Sequence, residues 1–157
     1  MVDEEHYRRT YKEIITVPCP FEKALLQRAC ACPMASKTNI AEREAINCQS
    51  HEAQENCVDF LQFLRRRANF ALGITHTPGA LPHAKAIKIQ CGGLLGLQKA
   101  LDPIAEESKV SDVRGLLRRA LKRFENLGDL PFDEIIRAVS QYQGRQIRAK
   151  RHKRGHP

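Results

Sequence analysis

The chain has 157 residues, of which 42% are hydrophobic and 28% are charged. These fractions are close to globular averages, so they exclude a wholly disordered chain and predict one domain of ordinary size. No apolar run approaches the roughly 20 residues of a membrane span. The first fifteen residues carry seven charges and no apolar centre, unlike a secretory signal. We therefore expect a cytoplasmic protein with no membrane segment, whose six cysteines stay reduced.

The net charge of +8 is concentrated at the C-terminal end. Residues 1–113 hold 14 basic and 14 acidic residues, whereas the rest of the chain holds 12 basic and 4 acidic ones. We expect a single helical domain over 1–144, made of a cysteine-bearing body over 1–110 and a basic helix pair over 111–144. Residues 145–157 hold six Lys or Arg and no acidic residue, which predicts a disordered basic tail.

Apolar residues at helical spacing dominate the N-terminal half. A first helix should stop before Pro18, and a second should span about 20–31, because Pro33 disfavours helical backbone at the residue before it. An Asn followed three residues later by a Glu has the spacing of a capping box and predicts a short helix over 39–47. The strongest helical pattern spans 50–72 and is closed by a glycine.

The C-terminal half continues the helical pattern with one ambiguity. Residues 86–90 alternate in part like a strand, but they could equally extend a helix begun at residue 83. Gly92-Gly93 interrupts this segment before a helical one over 94–101. These glycines predict close packing on the core rather than a phosphate-binding loop. Two further helices should span 111–127 and 131–144. The sequence thus predicts an all-α fold, a compact bundle of six or seven helices with a disordered basic tail.

Five cysteines are candidate metal ligands. They lie near the predicted ends of helices or beside glycines, and cytosolic cysteines grouped in this way are often metal ligands. Helix N-termini also favour thiolate over thiol. The candidates are Cys30, Cys32, Cys48, Cys57 and Cys91. We interpret Cys19, which stands between two prolines, as structural.

The spacing of these cysteines favours an iron–sulfur cluster, which we expect to be of the [4Fe–4S] type. The pattern Cys-x-Cys-x₁₅-Cys-x₈-Cys draws ligands from separate elements, which a polynuclear cluster spans more easily than one tetrahedral ion. Zinc is the alternative, since thiolates suit both, although the Cys-x₂₋₄-Cys knuckles of zinc ribbons are absent. Unligated core or redox thiols are a third interpretation, because free cysteine is among the most buried residue types.

A set of basic residues is a candidate nucleic-acid-binding surface. Those of the predicted 111–127 helix recur mostly every four residues, opposite the apolar stripe, and those of the tail follow one helix later. Such a surface would attract phosphates through counterion release. The helix contributes Arg114, Arg118, Arg119 and Lys122, and the tail contributes Arg145, Arg148, Lys150, Arg151, Lys153 and Arg154.

The sequence therefore predicts a cytoplasmic iron–sulfur protein with a redox or sensing role, whose basic C-terminal region contacts nucleic acid or an acidic partner. One alternative is a zinc-stabilised nucleic-acid-binding module without a redox role. Another is a cluster-bearing electron carrier that docks an acidic redox protein. No nucleophile turn or oxyanion hole is apparent in the sequence, so enzymatic activity is not the leading interpretation.

Overall fold

The structure is a computed structural model that describes residues 4–73 and 81–144. Within these residues the chain forms six α-helices and one antiparallel β-hairpin. A short 3₁₀ turn (Leu127–Asp129) precedes the last helix. The helices are α1 (Glu4–Ile14), α2 (Glu22–Leu26), α3 (His51–Ala71), α4 (His83–Leu101), α5 (Val113–Phe124) and α6 (Phe132–Gln141).

The hairpin overturns the all-α prediction. Strands β1 (Ala35–Ile40) and β2 (Arg43–Cys48) occupy the region where the sequence predicted a short helix over 39–47. The two residues between the strands, Ala41 and Glu42, have φ of 48° and 69°. Positive φ at both central residues is the property of a type I′ hairpin turn. The Asn-to-Glu spacing that imitates a helix N-terminus therefore belongs to a tight turn.

The second helix is also shorter than predicted, because α2 ends at Leu26 rather than near Ala31. Arg28 has φ of 63°, a left-handed conformation that reverses the chain direction. The following residues run extended and pair with a distant segment, as the Ala31 amide donates to the Val110 carbonyl at 2.8 Å. The chain from Arg28 to Ala31 therefore forms a connection between α2 and the hairpin, not a helical turn.

The strongest helix prediction is confirmed. The Ser50 hydroxyl caps α3 by accepting the Ala53 amide at 3.1 Å, and Gly73 follows the helix with φ of 64°. The ambiguous segment is resolved as one continuous helix, α4. A Cβ on Gly92 would lie 2.7 Å from the Val139 Cα, so the predicted close packing of this glycine is also confirmed. The pairing of α4 with α6 depends on this approach.

The core is formed mainly by α2 to α6 around a set of fully buried side chains that includes Phe21, Phe60, Leu64 and Leu117. A smaller apolar group lies between α1 and the hairpin and consists of Tyr7, Ile15, Ile40 and Ala45. None of the helices in the described ranges is both long and apolar enough to cross a membrane. The hairpin thus lies between α1 on one side and the main helical core on the other.

Candidate metal centre

Residues 17–19 run antiparallel to the end of β2 and bring two cysteines to one face. The Cys48 amide donates to the Val17 carbonyl at 2.7 Å, and the Cys19 amide donates to the Ile46 carbonyl at 3.2 Å. These bonds flank the pairing of Pro18 with Asn47. Because successive residues of an extended strand point to opposite faces, Cys19 and Cys48 are diagonal neighbours on a shared face.

Cys32 lies at the same end of the hairpin as Cys48. The Ala35 amide donates to the Cys32 carbonyl at 3.1 Å, and Ala35 is the register partner of Cys48. Cys32 precedes Pro33 just as Cys19 precedes Pro20. Since the residue before a proline avoids the α region, both cysteines are held outside helices at this edge of the hairpin.

Cys57 reaches the same region from α3. The Gln54 side-chain amide donates to the Pro18 carbonyl at 3.2 Å, which attaches the first turns of α3 to the segment that carries Cys19. Residues three apart lie on the same face of a helix. Cys57 therefore faces the strand segment that Gln54 contacts. The N-cap bond at Ser50 fixes where α3 begins and so fixes this orientation.

Electrostatic interactions connect the four thiols. The pKa of Cys57 is raised to about 12, mainly by burial and to a smaller extent by Cys19, Cys32 and Cys48. Burial likewise raises the pKa of Cys19 to about 12, again with contributions from Cys32 and Cys48. Cys19 and Cys32 are partly exposed, whereas Cys48 and Cys57 are buried. We call Cys19, Cys32, Cys48 and Cys57 the cysteine cluster.

The two remaining cysteines, both predicted ligands, form a separate pair in the main core. Burial raises the pKa of Cys30 to about 12, and the neighbouring Cys91 is the next largest contribution. Burial also raises the pKa of Cys91, although a hydrogen bond from Tyr142 acts in the opposite direction. Cys30 also interacts with Cys19, which makes it the residue of this pair closer to the cysteine cluster. Cys91 has no solvent exposure.

Arg114 points a buried, unpartnered donor toward this region. Its guanidinium lowers the pKa of Cys57, against the dominant effect of burial. One guanidinium nitrogen, Nη1, is fully inaccessible and lacks a hydrogen-bond partner among the described residues. A buried donor without an acceptor costs free energy. Arg114 is thus a half-buried cation near the Cys57 thiol, in a position to stabilise negative charge there.

The four thiols are neighbours, but they are not arranged as a ready-made ion site. Across residues 4–73 and 81–144, no group of three or more His, Cys, Asp or Glu side chains has a geometry that would hold a metal ion. The Cys48 thiol instead donates to the Ser50 carbonyl at 3.1 Å. Four cysteines match the residue type and number that thiolate-bound metals use, but within the described ranges their arrangement does not form such a site. Binding would require the thiols to turn toward a common centre.

The predicted nucleic-acid surface is divided by the structure. Arg118, Arg119 and Lys122 are exposed on α5, as a phosphate-contacting face requires, whereas Arg114 is half-buried against the cysteine cluster. The basic residues of the predicted tail lie outside the described residues.

Two residues near the candidate site were interpreted differently in the sequence. Cys19 was interpreted as structural, and it repeats the Cys-Pro dipeptide of Cys32 and Pro33. Arg114 was grouped with the exposed cations of its helix. Arg114 directly follows the buried Val113 at the edge of the apolar stripe, and this position was the sequence signal that its side chain could be partly buried. No protein-family model, curated protein or solved structure matches the chain.

Proposed function

We propose that this chain is a cytoplasmic iron–sulfur protein with a redox or sensing role, and that its cluster is bound by Cys19, Cys32, Cys48 and Cys57. The observation that carries the proposal is the proximity of Cys57 to the thiols of three other segments, Cys19, Cys32 and Cys48, with the guanidinium of Arg114 acting on Cys57. Thiolates are the usual ligands of iron–sulfur clusters. We expect a [4Fe–4S] cluster, because ligands that come from separate segments are joined more easily by a polynuclear cluster than by one tetrahedral ion.

Each proposed ligand comes from a different kind of segment. Cys19 lies on the extended segment beside β2, Cys32 on the turn before β1, Cys48 at the end of β2 and Cys57 on α3. A centre that joins these four segments would cross-link the hairpin to the helical core. Metal binding would then contribute to folding stability as well as to any electron transfer.

The chain's own residues would tune such a centre. Four thiolates and an iron–sulfur core carry net negative charge, and Arg114 supplies a half-buried positive charge whose Nη1 has no hydrogen-bond partner among the described residues. Hydrogen bonds and burial around cluster sulfurs set the reduction potential. The cluster, when bound, would supply one-electron chemistry. The apolar surroundings of Cys48 and Cys57 would restrict water and oxidants.

The C-terminal charge suggests how the protein recognises a partner. The excess of eight positive charges falls after residue 113, and Arg118, Arg119 and Lys122 are exposed on α5. We expect this region to contact nucleic acid or an acidic redox partner through phosphate or carboxylate groups. Recognition and the metal centre would then use different parts of the chain.

The proposal is tested by anaerobic purification followed by iron, sulfide and zinc analysis with absorption and EPR spectra. Single Ser substitutions of Cys19, Cys32, Cys48 and Cys57 should each lower the iron and sulfide content strongly. Because Cys91 lies in the separate core pair, Cys91→Ala is the matched control and should retain the cluster. Circular dichroism of every variant separates loss of metal from loss of fold.

The alternatives give distinct results. A colourless protein with stoichiometric zinc would favour the zinc-stabilised module. Loss of iron in Cys91→Ala but not in Cys19→Ser would move the ligand set to that predicted from the sequence. Absence of iron and zinc from protein that remains folded after anaerobic reconstitution would contradict the proposal.

A further inference from the structure

A half-open cavity of about 470 Å³ lies between the residues that follow α2 and those that precede α5. This volume is within the range of small-molecule sites, about 300–1,000 Å³. Its apolar lining includes Leu25, Ala29 and Val110, and Cys30 and Cys32 also border it. We call it the basic cavity, because the charged residues that line it in the described part of the chain are Arg28, Lys37 and Lys109.

The walls of the basic cavity are held together by backbone hydrogen bonds. The Ala31 amide donates to the Val110 carbonyl at 2.8 Å, and the Val110 amide donates to the Ala29 carbonyl at 3.2 Å. The buried Gln98 side chain fixes the other wall by donating to the Lys109 carbonyl at 2.9 Å. The cavity is therefore formed by paired backbone segments and does not depend on a ligand for its shape.

Arg28 occupies a backbone position that favours glycine. Its φ of 63° lies in the left-handed region, and this region after a helix end is most often taken by Gly. An arginine at such a position is strained. Arg28 carries this strain at the rim of the basic cavity, which is consistent with a role for its side chain there.

The charges of the cavity are poorly neutralised by the protein. None of the described residues that line the cavity carries a carboxylate. Lys37 has a nearby acidic group, the Glu44 carboxylate at 3.9 Å, and both side chains of that pair are about half exposed. Three cations around an apolar floor match a ligand that combines a multiply charged anion with a compact apolar body.

We propose that the basic cavity binds a small organic phosphate, with the phosphate against Arg28, Lys37 and Lys109 and the organic group on the apolar floor. A phosphate monoester carries close to two negative charges at neutral pH, which suits three cations better than a single carboxylate does. The cavity shares Cys32 with the proposed metal centre, but its three cations are not part of the cysteine cluster.

The test uses the full-length protein as purified and follows its backbone amides by NMR during titration. Phenyl phosphate should shift the amides of Ala31 and Val110 in a saturable manner. Inorganic phosphate and benzoate should bind at least fivefold more weakly, since each lacks one half of the proposed recognition. Benzyl alcohol, which has the ring without the charge, should cause no saturable shift at these amides.

Two variants test whether the cations of the basic cavity bind the phosphate group. Lys109→Gln and Arg28→Gly should each weaken phenyl phosphate at least fivefold, and the glycine also removes the backbone strain, so its fold should persist. Lys99→Gln makes the same charge change on α4 outside the cavity and should leave the affinity unchanged. Unchanged amides with phenyl phosphate would overturn the proposal. So would equal binding of inorganic phosphate, or equal weakening in Lys99→Gln.

Discussion

At the scale of single residues, Arg114 combines two properties that have opposite consequences. Its buried Nη1 lacks a partner in the described part of the chain, which should destabilise the metal-free protein by about 1–3 kcal/mol. The same group lies near Cys57 and would stabilise negative charge on a thiolate-bound cluster. One substitution should therefore affect the metal-free and the loaded protein in opposite directions.

We predict that Arg114→Met stabilises the metal-free protein and weakens the cluster. Methionine keeps an apolar stem and removes the unpartnered donor, so the melting temperature without metal should rise by roughly 2–4 °C for each kcal/mol gained. Iron retention during dialysis against a chelator should fall, and the reduction potential should decrease, since a cation and a hydrogen-bond donor are lost. Differential scanning calorimetry and redox titration measure the two effects.

Arg118→Met is the matched control, because Arg118 is exposed one helical turn further along α5. It removes the same charge from the helix but should change neither the melting temperature nor iron retention. Equal effects of the two variants would mean that the net charge of α5, and not the buried position of Arg114, determines them.

The Cys57 thiol should be unreactive when no metal is bound. Burial raises the pKa of Cys57 from 9.0 to about 12. Since only the thiolate attacks alkylating agents, a rise of about three units lowers the reactive fraction at pH 8 roughly 1,000-fold. We predict slow alkylation of Cys57 in metal-free protein and fast alkylation after unfolding in urea. Peptide mapping by mass spectrometry measures both rates. Equal rates in the two states would contradict the raised pKa of the buried Cys57 thiol.

The same pKa values set the alkaline stability of the metal-free protein. Between about pH 9 and pH 12 the unfolded chain loses thiol protons that the folded chain keeps at Cys19, Cys30 and Cys57. Folded protein binds more protons over this range, so the free energy of unfolding falls as pH rises. Below pH 9 these thiols are protonated in both states and contribute no pH dependence.

At the scale of secondary-structure elements, the hairpin determines where two of the four clustered thiols lie. Cys48 ends β2 and pairs in register with Ala35, next to the turn that carries Cys32. A shift of register by one residue would turn Cys48 to the opposite face. The turn between the strands is therefore important for the cysteine cluster although it lies at the other end of the hairpin.

We predict that the double substitution Ala41→Asn and Glu42→Gly stabilises the protein. Both residues have positive φ, a conformation that costs non-glycine residues roughly 1–2 kcal/mol each and that an Asn-Gly pair adopts readily. The denaturant midpoint should rise without a change in slope. Glu42→Gln removes the same charge but leaves the strain, so it should have little effect. A comparable gain in Glu42→Gln would assign the effect to charge.

The elements also show what the sequence could and could not predict. The apolar stripe and the Ser50 cap of α3 are local signals, and that prediction is confirmed. The hairpin lacks the usual Gly or Asn at its turn, so its local sequence imitates a helix start, and pairing with residues 17–19 was needed to reveal it. The same long-range pairing brings Cys19 beside Cys48, and for that reason spacing alone grouped the cysteines differently.

At the scale of the whole molecule, charge and thiols are distributed differently along the chain. The residues up to 113 are balanced and hold all six cysteines, whereas the excess of eight positive charges follows them. Arg114 is where the two regions meet, because it belongs to the basic part in sequence but lies beside the cysteine cluster. The other basic residues of α5 that were predicted to bind nucleic acid are exposed.

We predict that the basic tail acts electrostatically and separately from the metal centre. Deletion of 146–157 removes Arg148, Lys150, Arg151, Lys153 and Arg154, but only Ile147 and Ala149 among apolar residues. Fold and iron content should therefore persist. If all five charges contact the phosphates of duplex DNA, the slope of log affinity against log salt should fall by about 4–5, at roughly 0.9 per contact. Replacing the five cations by Gln at constant length should reproduce the effect.

Binding to different nucleic acids shows whether the basic tail supplies specificity or only electrostatic attraction. Intact and shortened proteins should be titrated with a duplex, a single strand and an RNA hairpin across a salt series. An equal change in slope for all three would mean that the tail supplies attraction without specificity, because phosphate contacts carry no sequence information. Unchanged affinity after deletion would contradict the prediction and favour docking to an acidic redox protein, with the exposed cations of α5 as the contact surface.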